Sequence, residues 1–304
     1  GSVTVTSLDY AEKRYTSQDG LSLYYRDYGP SADGLTPVLC LPGLTRNSRD
    51  FSAISKRLMR ERRVICPDFR GRGLSDHDPN WQNYEPTTYI GDIRHLLCAL
   101  NIHRVFVIGT SMGGLLTMGM GAAMPTVLAG ALINDVGPDI GESGVEKIIA
   151  YMRDGAAGFA DWPDAVAFLR ARFPEIPANT DEEWLWIAKG TFQKSENGRI
   201  EHNWDRAIIK PLLAPSAELD LWPMFKSLRG RPLVVTHGAL SDILSAETLA
   251  KMQGAIPELT AVTVQGIGHM PSLSEPECQE ALNNALAIAD HAQHRRYPRG
   301  RCAH

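Results

Sequence analysis

Val105-Phe106-Val107-Ile108 runs straight into Gly109-Thr110-Ser111-Met112-Gly113-Gly114 and then into an apolar, helix-compatible stretch. A short apolar run, a glycine-flanked serine and a helix in direct succession specify a buried strand, a sharp turn and a helix folded back on that strand. Such a unit belongs to a layered α/β protein, and the rest of the chain repeats the alternation. Short runs rich in Val, Ile and Leu predict strands near 12–18, 21–28, 37–41, 62–67, 104–109, 130–135, 232–237 and 260–265. Amphipathic segments predict helices near 48–60, 86–100, 112–123, 245–253 and 276–292. The expected fold class is therefore α/β, a mostly parallel eight-stranded sheet with helices on both faces. Asp19-Gly20 separates the first two strands as a hairpin signal, so the sheet is expected to begin antiparallel.

From about 138 to 226 the alternation stops and aromatics accumulate, among them Phe159, Trp162, Phe168, Trp184, Phe192, Trp204 and Trp222. Prolines at 138, 163, 174, 177, 211, 215 and 223 divide this stretch into short pieces. It reads as a helical cap of several small helices, inserted into a core made of residues 1–137 and 227–292. Most of its aromatics should build the insertion's own small core, with a few facing a pocket. The remainder, 293–304, carries Arg295, Arg296, Arg299 and Arg301 with almost no apolar content and is expected to be a disordered basic tail without assigned function.

The chain has 304 residues, of which 43% are hydrophobic, enough to bury a large core. A formal charge of -4 supplies no general attraction to nucleic acid or anionic membranes, so neither is an expected partner. The expected partner is small and uncharged, and nothing in the sequence specifies an oligomeric state. The five cysteines form no CxxC pair; Cys40, Cys66 and Cys98 lie in apolar runs and read as buried thiols of a reducing, cytoplasmic compartment. No run of about 18 apolar residues suggests a membrane span, and no charged-then-apolar start suggests a signal peptide.

The chemistry centres on Ser111. Glycines two residues to either side, Gly109 and Gly113, remove side chains that would collide with the neighbouring strand and helix. The helix after the turn aims its first NH groups and its dipole at the serine, so the Met112 NH is the expected first oxyanion donor. Val38-Leu39-Cys40-Leu41 leads into Pro42-Gly43-Leu44, and the Leu44 NH is the expected second donor.

Together these residues resemble the α/β-hydrolase superfamily, and the resemblance covers nearly the whole chain. It includes Asp68-Phe69-Arg70-Gly71-Arg72-Gly73-Leu74-Ser75, similar to the D-x-R-G-x-G-x-S turn common in the family and read here as structural. Pro42-Gly43 stands where many members carry His-Gly. The chain order serine, acid, histidine places the general base late. His269, in Gly266-Ile267-Gly268-His269-Met270-Pro271, is the choice among nine histidines, with His237 as the fallback. For the acid, Asp242 lies four residues after a strand-ending glycine and resembles the family's acid loop; Asp135, at the end of the preceding strand, is the alternative.

An aspartate at position 111 would imply alkyl-enzyme chemistry, as in related dehalogenases and epoxide hydrolases, whereas a hydroxyl argues for acyl transfer. The resemblance thus implies a serine esterase or lactonase that works through an acyl-enzyme on a small apolar, ester-like substrate. Hydrolysis of carbon–carbon bonds in ring-fission products is the alternative, and a slow or inactive ligand receptor on the same fold is a third reading. No zinc-ligand spacing, P-loop or dinucleotide fingerprint is present, so neither metal nor cofactor is expected.

Overall fold

The computed structural model describes residues 9–29, 34–214 and 218–296. Among the described residues there are ten strands: β1 (Tyr10–Thr16), β2 (Ser22–Tyr28), β3 (Val38–Leu41), β4 (Val64–Pro67), β5 (Val105–Thr110), β6 (Leu128–Asn134), β7 (Phe192–Lys194), β8 (Ile200–His202), β9 (Leu233–Gly238) and β10 (Thr260–Val264). Eight of them form one sheet in the order β1-β2-β4-β3-β5-β6-β9-β10. β2 is antiparallel to both neighbours, pairing Tyr10 with Tyr28 on one side and Tyr25 with Pro67 on the other. The remaining pairings are parallel.

The helices are α1 (Ser52–Leu58), α2 (Pro86–Ala99), α3 (Met112–Ala123), α4 (Glu142–Arg153), α5 (Trp162–Arg172), α6 (Asp181–Thr191), α7 (Lys210–Leu213), α8 (Trp222–Lys226), α9 (Ala246–Ala255) and α10 (Pro276–Arg296). Strand side chains alternate between two apolar layers, as the pleat requires. Leu39, Leu41, Val105 and Val107 pack with Ile93 and Leu96 of α2, Leu116 and Met120 of α3, and Met252 of α9. Val38, Cys40, Phe106 and Ile108 pack with Ile54 and Leu58 of α1 and with Leu282 and Leu286 of α10. Both faces of the central strands are thus buried, which is why they read as continuous apolar runs.

Two departures from the sequence reading stand out in these layers. Cys98 is exposed rather than buried, because it sits on the solvent side of α2 while Leu96 and Leu97 take the core side. Helix α10 also continues through Arg296, past the expected end at 292, so the proposed tail begins within a helix; residues 297–304 lie outside the described residues. No helix of the described residues is long and apolar enough to cross a membrane.

Between β6 and β9 the chain forms α4 to α8 and, in addition, an antiparallel hairpin of β7 and β8 that the helical expectation omitted. Its turn was legible: Asn197-Gly198 is a strong hairpin pair, and Gly198 takes a φ of 82° that favours glycine. Leu169, Trp184, Ala188, Phe192 and Ile200 form a small separate core here, so these two aromatics do what the sequence reading assigned to most of the set. Trp204 and Phe225 instead join the large sheet-facing core.

Candidate active site

Sheet order places a crevice where the chain reverses direction. β3 leads to β4 on one side, whereas β5 lies on the other, and the loops after β3 and β5 therefore diverge at the sheet's carboxyl edge. Ser111 stands at that edge, between β5 and α3, with φ 53° and ψ -114°. A serine pays for that backbone with strain, which the surrounding contacts hold in place. A side chain at Gly109 would collide with the Gly113 carbonyl, and one at Gly113 with the Leu41 carbonyl. Gly113→Ala should therefore destabilise the fold by about 3 kcal/mol or more, visible as a lower melting temperature and poor soluble yield.

The histidine arrives from the far side of the sheet. His269 follows β10 on a loop that β9 holds closely: Leu240 NH donates to the Ile267 carbonyl at 2.9 Å, and a side chain at Gly238 would strike the Gly268 carbonyl. Asn134 adds a tie from β6, its Nδ2 donating to the Pro271 carbonyl at 3.0 Å. So held, His269 places Nε2 3.1 Å from Ser111 Oγ. His237, the fallback, lies buried with its ring nitrogens 3.1 Å from Thr263 Oγ1 and 2.9 Å from the Leu244 carbonyl, away from Ser111.

Asp242 does not meet the histidine. Its carboxylate accepts a 2.8 Å ion pair from Lys147 of α4 at the surface. The cause is packing by the insertion: α4 begins against this loop so closely that side chains at Gly141 or Gly144 would run into the Asp242 carbonyl. Gly141 NH also donates to the Ile243 carbonyl at 3.1 Å, holding the loop outward. Asp135 takes the position instead. It follows β6 with φ 57°, a left-handed turn that sends the side chain across the end of the sheet. There Oδ1 accepts from Gly238 NH at 2.7 Å, and Oδ2 accepts from Ser241 Oγ at 2.6 Å and pairs with His269 Nδ1. Asp135 is 0% exposed, a burial that a carboxylate tolerates when its lone pairs are this well matched. The carboxylate that meets His269 is thus the alternative, Asp135, and not the expected Asp242, while Ser241, which the sequence reading passed over, donates to it.

The two expected oxyanion residues flank the serine. Met112 is the first residue of α3, whose leading NH groups lack partners within the helix. Gly43, just before Leu44, lies so close that a Cβ there would be 3.8 Å from Ser111 Cβ. The loop is fixed from below and above. Arg72 Nε donates to the Leu44 carbonyl at 2.7 Å; Arg46 Nη1 donates to Thr191 Oγ1 and Asn47 Nδ2 to the Gly190 carbonyl, both at 2.8 Å and both at the end of α6. Hence the insertion docks directly on the loop beside Ser111.

The Asp68–Ser75 turn is dense in charge. Arg70 is buried among Asp19, Asp78 and Asp92 at 2.7 to 2.8 Å, and Asp68 accepts from the Ser48 and Leu74 NH groups. Above it, His202 sits in a cage of Tyr151, Phe168, Phe192 and Trp204 rings. Burial pushes its pKa down from 6.5 to about 4, and burial likewise pushes the Tyr151 hydroxyl up to about 12. The unfolded chain takes up this histidine's proton near pH 6.5, which the folded chain resists until about pH 4. Stability should therefore be full above pH 6.5 and fall by up to about 3 kcal/mol on acidification toward pH 4. Thermal melts across that interval should show a shallower decline in His202→Phe than in wild type.

Among the described residues no group of three or more His, Cys, Asp or Glu is arranged to hold a metal ion. A cleft lined by Asp139, Ile140, Ser241, Asp242 and Thr248 lies behind the Asp242 loop.

Comparisons with known proteins agree with this architecture. The 3-hydroxybutyrate-oligomer hydrolase of Cupriavidus necator is 31% identical over 262 residues, covering 83% of this chain and 88% of that protein. The 2-(acetamidomethylene)succinate hydrolase of Mesorhizobium japonicum is 27% identical, covering 82% and 87%. A crystal structure of an alpha/beta hydrolase from Novosphingobium aromaticivorans superimposes with a TM-score of 0.86 at 41% identity, over 93% of this chain and 100% of that one. The model of the alpha/beta hydrolase family matches residues 38–278, and the chain belongs to that family.

Proposed function

We propose that this hydrolase cleaves a carboxylic ester or lactone through Ser111, His269 and Asp135. The observation that carries the reading is the unbroken relay from Ser111 Oγ to His269 Nε2 at 3.1 Å and from His269 Nδ1 to the buried Asp135 carboxylate. His269 takes the serine proton as Oγ bonds to the carbonyl carbon, and the carbonyl electrons move onto oxygen. The Met112 and Leu44 NH groups receive that oxyanion, and each donor typically supplies about 3 to 4 kcal/mol of barrier reduction. Collapse expels the alcohol, which takes the proton from His269 and leaves an acyl-serine. Water repeats the sequence to release the acid. Asp135 holds the imidazole tautomer and stabilises the imidazolium.

The residues 138–226 act as the cap of this site, excluding water and selecting the acyl or alcohol group. Their docking on the Gly43–Asn47 loop through Thr191 and Gly190 supports that role. Because a relative covering most of the chain is named for 3-hydroxybutyrate oligomers, linear esters of short hydroxy acids are the first substrates to try. A second reading, cleavage of an acyl–nitrogen bond, is favoured by the acetamido group in the name of the Mesorhizobium relative's substrate.

The test is release from p-nitrophenyl esters of graded acyl length, hydroxyacyl dimers and matching N-acyl enamines, with intact-mass detection of the acyl-enzyme. Ester turnover with a Ser111-borne acyl group supports the first reading, and turnover confined to the nitrogen series supports the second. Neither turnover nor acylation in any series would sink both.

A further inference from the structure

Arg72 is 0% exposed, yet among the described residues no carboxylate pairs with it, whereas Arg70, two residues earlier, holds three. Its partners are neutral: the Leu44 carbonyl at 2.7 Å, the Arg70 carbonyl at 2.9 Å and the Tyr89 hydroxyl at 2.8 Å, with the Tyr89 and Tyr84 ring faces 4.9 and 5.7 Å away. Its Nη2 lies 3.9 Å from Met112 Sδ. An arginine guanidinium carries its charge throughout the working range of an enzyme, and burying one without a counter-charge is costly. A fold that needed only hydrogen bonds to the Leu44 and Arg70 carbonyls could obtain them from a neutral side chain. What a neutral side chain cannot provide is a fixed positive potential, and this one touches both residues whose NH groups are the oxyanion donors.

We propose that Arg72 is a positioning residue for the oxyanion site: it fixes the Leu44 loop through the carbonyl bond and leaves its charge uncompensated until negative charge develops on the substrate oxygen beside Ser111. The inference rests on the acyl-transfer reading above. In the ground state the reacting carbonyl is neutral and gains little from the cation; in the tetrahedral state it carries a full charge in a site of low dielectric constant, where a nearby cation counts for most. The same turn meets the cap, since Gly73 NH donates to the Asn203 carbonyl at 2.8 Å and Asp205 NH to the Gly71 carbonyl at 2.7 Å. Cap placement and loop geometry therefore share one support.

The test pairs a trifluoromethyl ketone with the methyl ketone of the same shape. Ser111 Oγ adds to the fluorinated ketone, its proton goes to His269 and the ketone oxygen becomes an oxyanion; the methyl ketone binds without adding. Arg72→Gln keeps hydrogen-bonding capacity without charge, and Arg72→Lys keeps charge without the fork. For Arg72→Gln the expected result is a fluoroketone affinity about 100-fold weaker, a methyl ketone affinity within about 2-fold of wild type, and a fall of about 100-fold in kcat with little change in KM. Arg72→Lys should keep the ratio of the two affinities within about 5-fold of wild type, and it serves alone if Arg72→Gln fails to fold. Equal losses for both ketones, no loss for either, or a lysine variant whose ratio collapses would overturn the role of the charge. A wild-type protein that never adds the fluoroketone would instead overturn the acyl-transfer reading, and this inference with it.

Discussion

Ser111→Ala is expected to fold as wild type and to lose about 10⁶-fold in turnover, with no acyl-enzyme visible by intact mass. The Ser111 hydroxyl bonds to His269, and the turn is held by the backbone: Ser111 NH on the Asn134 carbonyl, and Gly114 and Leu115 NH groups on the Ser111 carbonyl. Alanine keeps all three and bears the same left-handed φ. The melting temperature should consequently move by no more than a few degrees. Parallel losses in stability and turnover would mean that the hydroxyl holds the fold and does not carry the reaction. Turnover persisting at wild-type level would remove Ser111 as nucleophile altogether.

The second large effect separates two aspartates. Asp135→Asn should lower kcat by about 10⁴-fold, because the amide can turn an NH toward His269 Nδ1 and favour the wrong imidazole tautomer. Its oxygen can still accept from Gly238 NH, so the loop geometry should survive. Asp242→Asn should leave kcat and KM nearly unchanged. It removes a surface pair with Lys147, and exposed pairs of this type contribute roughly 0 to 1 kcal/mol. Steady-state kinetics of the two variants on one ester settle the matter. A severe defect in the Asp242 variant with a mild one in Asp135→Asn would reverse the assignment made from the geometry.

The two aspartates also mark where sequence reasoning ran short. Each follows a strand that the sequence located, and each stands in a turn compatible with an acid role. Local pattern could not choose between them, because the choice depends on which carboxylate the neighbouring elements turn inward. Here α4 packs onto the Asp242 backbone and presents Lys147 to its side chain, while Asp135 finds Gly238 and Ser241 waiting across the sheet end. The β7–β8 hairpin is a different case, since Asn197-Gly198 carried a local signal that the surrounding aromatic and proline pattern obscured. Cys98 was misplaced by reading an apolar run without assigning its helical face.

By itself the sequence determined the eight strands of the main sheet and the strand–turn–helix around Ser111, because each follows from local periodicity or from glycines that only one backbone path requires; the hydrolase family and the histidine loop followed from the resemblance that these motifs carry. The tertiary structure decided which carboxylate faces His269, how α6 seats on the loop beside Ser111, and that Arg72 lies buried on the Leu44 and Arg70 carbonyls and the Tyr89 hydroxyl. Those features arise between elements far apart in the chain, where packing and electrostatics act across space and leave no spacing in the sequence to read.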